Sequence, residues 1–302
     1  MTRWSADCID TCMVPISRIL FPVDFSDHCH EILPHVKAIA TKYQAEIILL
    51  HVVNPVFAIP DIGVLFPTAL PLPEWLLSKQ AEKLEFFEKE GLQGVAVRRL
   101  VYEGEPEAQI VATAQAENAH LVIMPTHGYG RLRRFLIGST TAKALHDLEC
   151  PVLTLSHSCS RAEANVHGLA TIACAIDAGP HSSDVLAWAA RLACDFHSRL
   201  SIVHAVPRLD PGLGAVFSTD LENETKSRRR RDIERIQAAV GMNRSAIYIE
   251  EGDVAHSVCS FANSIAADLL VIGRGMKESE DGRLGGHAYS IIREASCPVL
   301  SV

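Results

Sequence analysis

The 302-residue chain has no apolar run long enough to span a bilayer, and its first residues, MTRWSADCIDTCMVP, lack the apolar core of a signal peptide. These absences predict a cytoplasmic protein without a membrane partner. The nine cysteines form no CxxC pair, which indicates reduced thiols rather than a disulfide framework. The chain has fewer positive than negative side chains, since 28 Lys and Arg against 36 Asp and Glu give a net charge of −8. An acidic body repels polyanions, so we expect no nucleic-acid partner.

The sequence contains an internal repeat. RILFPVDFSDHCHEILPHVKAIATKYQAEIILLHVV (18–53) and TIACAIDAGPHSSDVLAWAARLACDFHSRLSIVHAV (171–206) align without a gap, and the later part of each half repeats at a slightly smaller offset. The matched positions include Asp24 and Asp177, His51 and His204, Gly104 and Gly252, and Leu121 and Leu269. A repeat of this length predicts two domains of the same fold.

Each half is predicted to be a doubly wound α/β domain. Continuous apolar runs such as EIILLHVV, HLVIM and DLLVI are typical of strands buried on both faces of a parallel sheet, and the segments between them have helical periodicity. The expected divisions are an N-terminal tail at 1–15, a first domain at 16–156, a linker at 157–168 and a second domain at 169–302. Proline-rich stretches at 55–73 and 207–220 are too long for ordinary connections and are predicted to form lids or interface loops.

A candidate ligand site lies at the carboxyl ends of the strands of the first domain, where open parallel sheets bind ligands. The stretch MPTHGYGRLRRFLIGSTT (124–141) starts there and contains Gly128 and, after nine residues, Gly138. The N–H groups and hydroxyls of Gly138-Ser139-Thr140 at a helix start can hold a phosphate. Asp24 follows the first strand and can accept hydrogen bonds from an amino group or a sugar hydroxyl. Glycines needed only for turns, and Asp24 as a helix N-cap, are the alternatives.

Taken together and in order, these motifs resemble the universal stress protein family. The motifs are the Val-Asp-Phe-Ser strand end, LLHVV, EGEP, THG, the nine-residue gap before Gly-Ser, and the closing CPVL strand. The resemblance covers nearly all of the chain and identifies it as a tandem, UspA-like member. It implies two Rossmann-like domains of the adenine nucleotide alpha hydrolase type, each with a five-stranded parallel sheet of order 3-2-1-4-5 and helices on both faces.

The resemblance also implies that the first domain binds ATP or another adenine nucleotide, with or without Mg²⁺. It implies no structural metal. Adenine and ribose would lie among Pro22, Asp24, Val52 and Met124, and the phosphates at Gly128, Gly138, Ser139 and Thr140, with His127 completing the set. The family loop reads Gly, two residues, Gly, nine residues, Gly, then Ser or Thr, and Pro125 replaces its first glycine here. Because proline lacks an N–H and has a fixed φ, we expect an altered affinity or pose.

The second domain departs further from the family loop. Met276 replaces the second glycine, and Gly286 is followed by His287 and Ala288 instead of hydroxyl residues. A methionine side chain fills the space that a phosphate needs, so this site is interpreted as degenerate. Asp177 is retained, which leaves an adenosine-like contact open as an alternative.

Histidines are the other candidates for chemistry. His28 and His30 in DHCHE diverge by about 200° on a helix, which suits surface or capping roles better than a metal site. His51 and His204 end buried strands, and we expect hydrogen bonds to satisfy them. No catalytic triad or paired-carboxylate motif stands out, and the loop lacks the lysine of a P-loop.

Two functions from different classes fit the sequence. The first is a stress-response regulatory module that binds adenine nucleotide in the first domain and is not an enzyme, with any slow ATP hydrolysis incidental. The alternative is an interaction or scaffold protein of the same family that binds no nucleotide, which Pro125 and the degenerate second site favour. A hydrolase or nucleotidyl transferase is a distant third.

The resemblance further implies that the two domains pair through their last strands, 152–155 and 299–302. A homodimer and an unknown protein partner are further hypotheses.

Overall fold

The protein is described by a computed structural model, which covers residues 15–55, 72–127, 137–156, 169–206, 218–242, 245–275 and 286–302. Two compact units divide the chain: one spans Val14–Val166, and the other contains His167–Val302. The predicted linker, the tail up to residue 14 and most of both proline-rich stretches lie outside the described residues. Within the described ranges, no helix combines the length and the apolar character needed to cross a membrane.

In the described residues of the first unit, the structure has five parallel strands and four helices. In chain order they are β1 (Arg18–Pro22), α1 (Asp27–Tyr43), β2 (Glu46–Val53), α2 (Glu74–Phe86), β3 (Val97–Glu103), α3 (Pro106–Ala116), β4 (Leu121–Pro125), α4 (Ser139–Asp147) and β5 (Val152–Leu155). The strand order is β3-β2-β1-β4-β5, and every neighbouring pair is parallel.

The second unit repeats this architecture. Its elements are β6 (Thr171–Ala175), α5 (Ser182–Phe196), β7 (Arg199–Val206), α6 (Ser218–Ala239), β8 (Ala246–Glu251), α7 (Val254–Ser264), β9 (Leu269–Ile272), α8 (Gly286–Glu294) and β10 (Val299–Ser301). Its strands run in the order β8-β7-β6-β9-β10, again with parallel neighbours. The predicted α/β fold with two similar domains is confirmed.

The continuous apolar runs form the centres of the two sheets. In β2, Ile47, Ile48 and Leu49 are fully buried, although neighbouring side chains on a strand point to opposite faces. Both faces of the sheet are therefore covered, as the absence of polar alternation predicts. Burying each such side chain stabilises the fold by roughly 1.5–3 kcal/mol.

The order of the strands positions the site. Because β1 lies between β2 and β4, the chain connections on its two sides run in opposite directions across the sheet. Such a reversal opens a crevice beyond the carboxyl end of β1. The chain enters α1 after β1 and reaches α4 after β4. The end of β1 and the start of α4 therefore meet at one edge of the first sheet.

Candidate functional site

A cleft of about 290 Å³ opens at the carboxyl edge of the first sheet. Its volume is close to the lower end of the range for small-molecule sites, about 300–1,000 Å³. Residues from β1, β2, β4 and the first turns of α1, α3 and α4 line it. The lining residues are Pro22, Val23, Asp24, Cys29, Leu50, Val52, Pro106, Ile110, Met124, Pro125, Gly138, Ser139, Thr140 and Thr141.

The cleft brings together seven of the nine residues predicted to bind the cofactor. These seven are Pro22, Asp24, Val52, Met124, Gly138, Ser139 and Thr140. His127 lines a separate small pocket with Thr126, and its Nδ1 lies 2.9 Å from the Thr126 hydroxyl oxygen. Gly128 lies outside the described residues.

The Asp24 carboxylate is held at the mouth of the cleft by a tight turn. Phe25 adopts φ +61°, and α1 begins two residues later, at Asp27. Asp24 Oδ1 accepts a hydrogen bond from the Ser26 N–H at 2.9 Å and another from the Cys29 thiol at 3.1 Å. Ser26 occupies the N-cap position of α1, so the alternative interpretation of Asp24 as the N-cap is wrong.

The start of α4 forms the opposite wall. Gly138 is its N-cap, and the first helical hydrogen bond runs from the Ala142 N–H to the Gly138 carbonyl. The N–H groups of the three residues between them have no acceptor within the helix, as at any helix start. Together with the helix dipole, these donors favour an anion at this end of the cleft.

Neither the backbone conformation nor the packing of the fold requires a glycine at position 138. Its φ of −57° is open to any residue, and an added Cβ would lie 3.6 Å from the Thr126 carbonyl oxygen, an ordinary contact. The N–H of Gly138 donates to that same carbonyl at 2.8 Å and fixes the entry into α4. A Cβ at this position, next to the start of α4, can therefore be accommodated by the fold.

Pro125 forms part of the wall and leaves the cleft open. It is the last residue of β4, and its carbonyl accepts a hydrogen bond from the Thr141 hydroxyl at 3.1 Å. The next N–H, of Thr126, donates to the Leu155 carbonyl at 3.0 Å, so the register with β5 continues past the proline. Thr141 is buried and ties α4 to β4, a structural role that the sequence did not reveal.

Between the carboxylate and the helix start, the lining is largely apolar. Leu50, Val52 and Met124 come from the ends of β2 and β4. Pro106 and Ile110 on α3 were not predicted, although both follow from the sequence. The EGEP motif starts a helix at Pro106, and a residue four positions later lies on the same helical face. An apolar wall of this kind suits a flat, apolar ring.

The histidines make the contacts expected of structural residues. His51 Nδ1 donates to the Val23 carbonyl at 2.7 Å, and His204 Nδ1 donates to the Ile176 carbonyl at 2.8 Å, which confirms that hydrogen bonds satisfy both rings. Burial lowers the pKa of His51, so its neutral form is favoured. His28 contacts Glu31, and His30 contacts Glu88, both at the surface of the first unit.

The second unit keeps the aspartate and lacks the hydroxyls. Asp177 Oδ1 accepts hydrogen bonds from the Gly179 N–H at 2.7 Å and from the Ser182 hydroxyl at 2.8 Å. Helix α8 begins at Gly286, so His287 and a buried Ala288 stand where the first unit has Ser139 and Thr140. Met276 lies outside the described residues.

The fold is an open, doubly wound α/β architecture built twice in one chain, and the first copy has a cleft at its switch point. The chain belongs to the universal stress protein family, whose family model matches residues 15–156 and 169–302. Two matches of one model confirm the predicted tandem organisation.

Individual relatives resemble one half of the chain. Universal stress protein MJ0577 of Methanocaldococcus jannaschii is 32% identical over 155 residues, which cover 47% of this chain and 96% of that protein. Universal stress protein A homolog 1 of Coxiella burnetii is 30% identical over 135 residues, covering 43% of this chain and 94% of that protein.

Solved structures share the fold along nearly the whole length. The crystal structure of a universal stress protein from Archaeoglobus fulgidus has a TM-score of 0.70 and covers 95% of this chain and 98% of that chain at 21% identity. A putative universal stress protein from Pseudomonas aeruginosa has a TM-score of 0.63 at 20% identity, covering 95% of this chain and 93% of that chain.

Proposed function

We propose that the first unit binds ATP or another adenine nucleotide, and that the protein acts in the stress response as a regulatory module rather than as a catalyst. One observation carries the proposal. The cleft has a carboxylate acceptor, Asp24, at one end and the start of α4, with its N–H donors, at the other. A mononucleotide has the matching polarity, because hydroxyl and amino donors lie at one end and an anion at the other.

The phosphate end is supported by the start of α4. Three N–H groups precede the first helical hydrogen bond, and Ser139 and Thr140 add two hydroxyls to the lining. Lacking a side chain, Gly138 leaves room in front of them. Helix starts of this kind bind phosphate through the same donors and the dipole.

The nucleoside end is supported by Asp24 and the apolar wall. Asp24 Oδ1 is already used twice within the protein, so a ligand donor would be accepted by Oδ2. Val52, Met124 and Ile110 provide the apolar surface against which a base can pack. An anionic group at the Asp24 end would be repelled, which fixes the orientation of the nucleotide.

A binding role rather than catalysis is supported by the side chains at the cleft. Among the lining residues that the structure describes, Asp24 and Cys29 are the two with ionisable side chains. Burial and then the nearby Asp24 charge raise the pKa of Cys29 to about 12, so its thiol is a poor nucleophile at neutral pH. ATP turnover above about 1 per second, the low end for ordinary enzymes, would contradict this part of the proposal.

The alternative is a scaffold protein that binds no nucleotide, and Pro125 is the observation that favours it. Proline removes one N–H from the position of the first loop glycine. Calorimetry with ATP and Mg²⁺ decides between the two functions. Micromolar binding supports the regulatory module, and the absence of any heat of binding in protein free of nucleotide supports the scaffold.

A charge placed at the start of α4 tests the site itself. Gly138→Glu is expected to abolish ATP binding, because its carboxylate would project at the phosphate donors, whereas the fold tolerates a Cβ there. Gly138→Gln has the same size without the charge and should bind more tightly than Gly138→Glu. Gly286→Glu is the matched control in the second unit, where an added Cβ meets nothing within 4 Å, and it should bind ATP like the wild type.

Adenosine distinguishes a phosphate effect from a general loss of the cleft. Since adenosine has no phosphate, its affinity should change far less than that of ATP in Gly138→Glu. Equal losses for ATP and adenosine, or wild-type ATP affinity in Gly138→Glu, would contradict the placement of the phosphates at α4.

A further inference from the structure

The two units hold their aspartates in the same way, with different side chains. In the first unit, Asp24 Oδ1 accepts from the Ser26 N–H and the Cys29 thiol. In the second, Asp177 Oδ1 accepts from the Gly179 N–H and the Ser182 hydroxyl. The donors stand two and five residues after the aspartate in both cases, so Cys29 and Ser182 are matched positions.

The backbone turn that allows these contacts is also repeated. Phe25 and Ala178 follow the two aspartates, and their φ values are +61° and +60°. Such a conformation is unfavourable for residues other than glycine, by roughly 1–2 kcal/mol. This backbone conformation nevertheless brings the first turn of the next helix back to the carboxylate. The side chain five residues after each aspartate therefore reaches Oδ1.

Cys29 is suited to donate. Its side chain is buried, and burial followed by the Asp24 charge raises its pKa to about 12, so the thiol keeps its proton at neutral pH. Its sulfur lies 3.1 Å from Asp24 Oδ1 and 3.9 Å from the Pro22 carbonyl oxygen. The shorter contact is to a carboxylate, which is the stronger acceptor.

We infer that Cys29 is a positioning residue for the ligand contact of Asp24. With the Ser26 N–H, its thiol occupies Oδ1 and fixes the rotation of the carboxylate, which leaves Oδ2 as the acceptor for a donor group of the ligand. This inference rests on the proposed function, because it concerns how tightly Asp24 can hold the nucleoside end of a nucleotide.

Two substitutions separate the hydrogen bond from the volume of the side chain. Cys29→Ser keeps a donor at the position, as Ser182 does in the second unit, and should bind ATP within about twofold of the wild type. Cys29→Ala removes the donor and should weaken ATP binding about three- to tenfold, the usual effect of one hydrogen bond. Ser182→Ala makes the same deletion in the second unit and should leave ATP binding unchanged.

A ligand comparison separates positioning from a general weakening of the cleft. Calorimetry is run with ATP, with 2′,3′-dideoxy-ATP, which lacks both ribose hydroxyls, and with inosine triphosphate, which lacks the amino group. In the wild type, the analogue that lacks the donor to Asp24 should bind more weakly than ATP. The affinity for ATP divided by the affinity for that analogue should fall towards one in Asp24→Ala and in Cys29→Ala. In Cys29→Ser this ratio should stay at the wild-type value.

A structural role alone would weaken all three ligands equally in Cys29→Ala and leave the ratio unchanged, which would overturn the inference. Equal binding of all three ligands by the wild type would overturn it as well, because Asp24 would then accept nothing from the ligand.

The hydrogen bond can also be tested without any ligand. The infrared S–H stretch of Cys29 is isolated as the difference between the spectra of the wild type and Cys29→Ser. It should move to higher frequency in the Asp24→Ala background, since a bonded S–H absorbs at lower frequency than a free one. An unchanged frequency would overturn the inference. Should the wild type bind no ATP, the proposed function fails, and this measurement still decides whether Cys29 holds Asp24.

Discussion

The two aspartates that follow β1 and β6 differ in their surroundings, although their turns are alike. Asp24 lines a cleft together with the apolar residues of β2 and β4. Asp177 is more exposed than Asp24, and the nearby His204 favours its charged form. Under the proposed function, the same turn serves ligand binding in the first unit and only the local fold in the second.

The stability of the second unit should depend on pH through Asp177. Partial burial raises the pKa of Asp177, but the hydrogen bonds from Gly179 and Ser182, with His204, outweigh it, so the pKa lies below its ordinary value. Such a carboxyl group stabilises the fold above its unfolded pKa of about 3.9 and loses that contribution as the pH falls through the lower folded pKa. The melting temperature of the wild type minus that of Asp177→Asn should therefore be constant above about pH 5 and shrink below about pH 4.

Ser182→Ala is the control for this pH dependence, because it removes one of the two hydrogen bonds to Asp177 Oδ1. Its melting temperature should lie between those of the wild type and Asp177→Asn. A difference that stays constant down to pH 2, or that grows in acid, would contradict the assignment.

At the scale of elements, the two units show why the motif before α3 and α7 contains glycine. Gly104 and Gly252 have φ values of +138° and +142°, which residues with a Cβ rarely adopt. A Cβ at Gly104 would also lie 3.0 Å from the Gln109 side-chain nitrogen. The glycine in EGEP is thus a requirement of the turn that starts α3 and brings Pro106 and Ile110 to the cleft.

Helices α3 and α7 begin at matched positions with different caps. The Asp253 side chain accepts a hydrogen bond from the His256 N–H at 2.9 Å, whereas Glu105 makes no side-chain cap and instead accepts from the Asn54 amide at 3.0 Å. Asp253→Ala should therefore cost about 1 kcal/mol of unfolding free energy, and Glu105→Ala clearly less. Urea unfolding of the full chain, fitted transition by transition, measures both, and equal costs would contradict the difference in capping.

Under the proposed function, the two units of the protein have different roles. ATP with Mg²⁺ should slow amide hydrogen exchange in the peptide that covers 137–147, because the N–H groups at the start of α4 would donate to phosphate. The matched peptide, 286–294, should exchange at the same rate with and without ATP, since its helix has His287 and Ala288 in place of the two hydroxyl residues.

Exchange with adenosine alone is the control, and it should leave 137–147 largely unprotected. Comparable protection of both peptides by ATP would contradict the interpretation of the second site as degenerate. Pairing of the domains through their last strands, a homodimer, a protein partner and a cytoplasmic location stay predictions.

Local sequence patterns specify the helices and strands of this protein and their repetition. Apolar runs without alternation specify buried parallel strands, helical periodicity specifies the crossovers, and a glycine with hydroxyl residues behind it marks the start of α4. These signals are local, because each depends on residues that are neighbours in the chain. They were sufficient to place the candidate site at the carboxyl edge of the first sheet, and the family resemblance supplied seven of the fourteen residues that line the cleft.

Which distant residues meet at the cleft depends on the packing of elements that are far apart in the chain. Ile110 joins the wall from α3, Thr141 bonds to Pro125, and Pro125 leaves the cleft open instead of closing it. Cys29 reaches Asp24 because the turn at Phe25 reverses the chain, a φ that no preference of phenylalanine predicts. Contacts of this kind depend on the packing of whole elements against one another, and that packing is set by the burial of the entire core rather than by any short stretch of sequence.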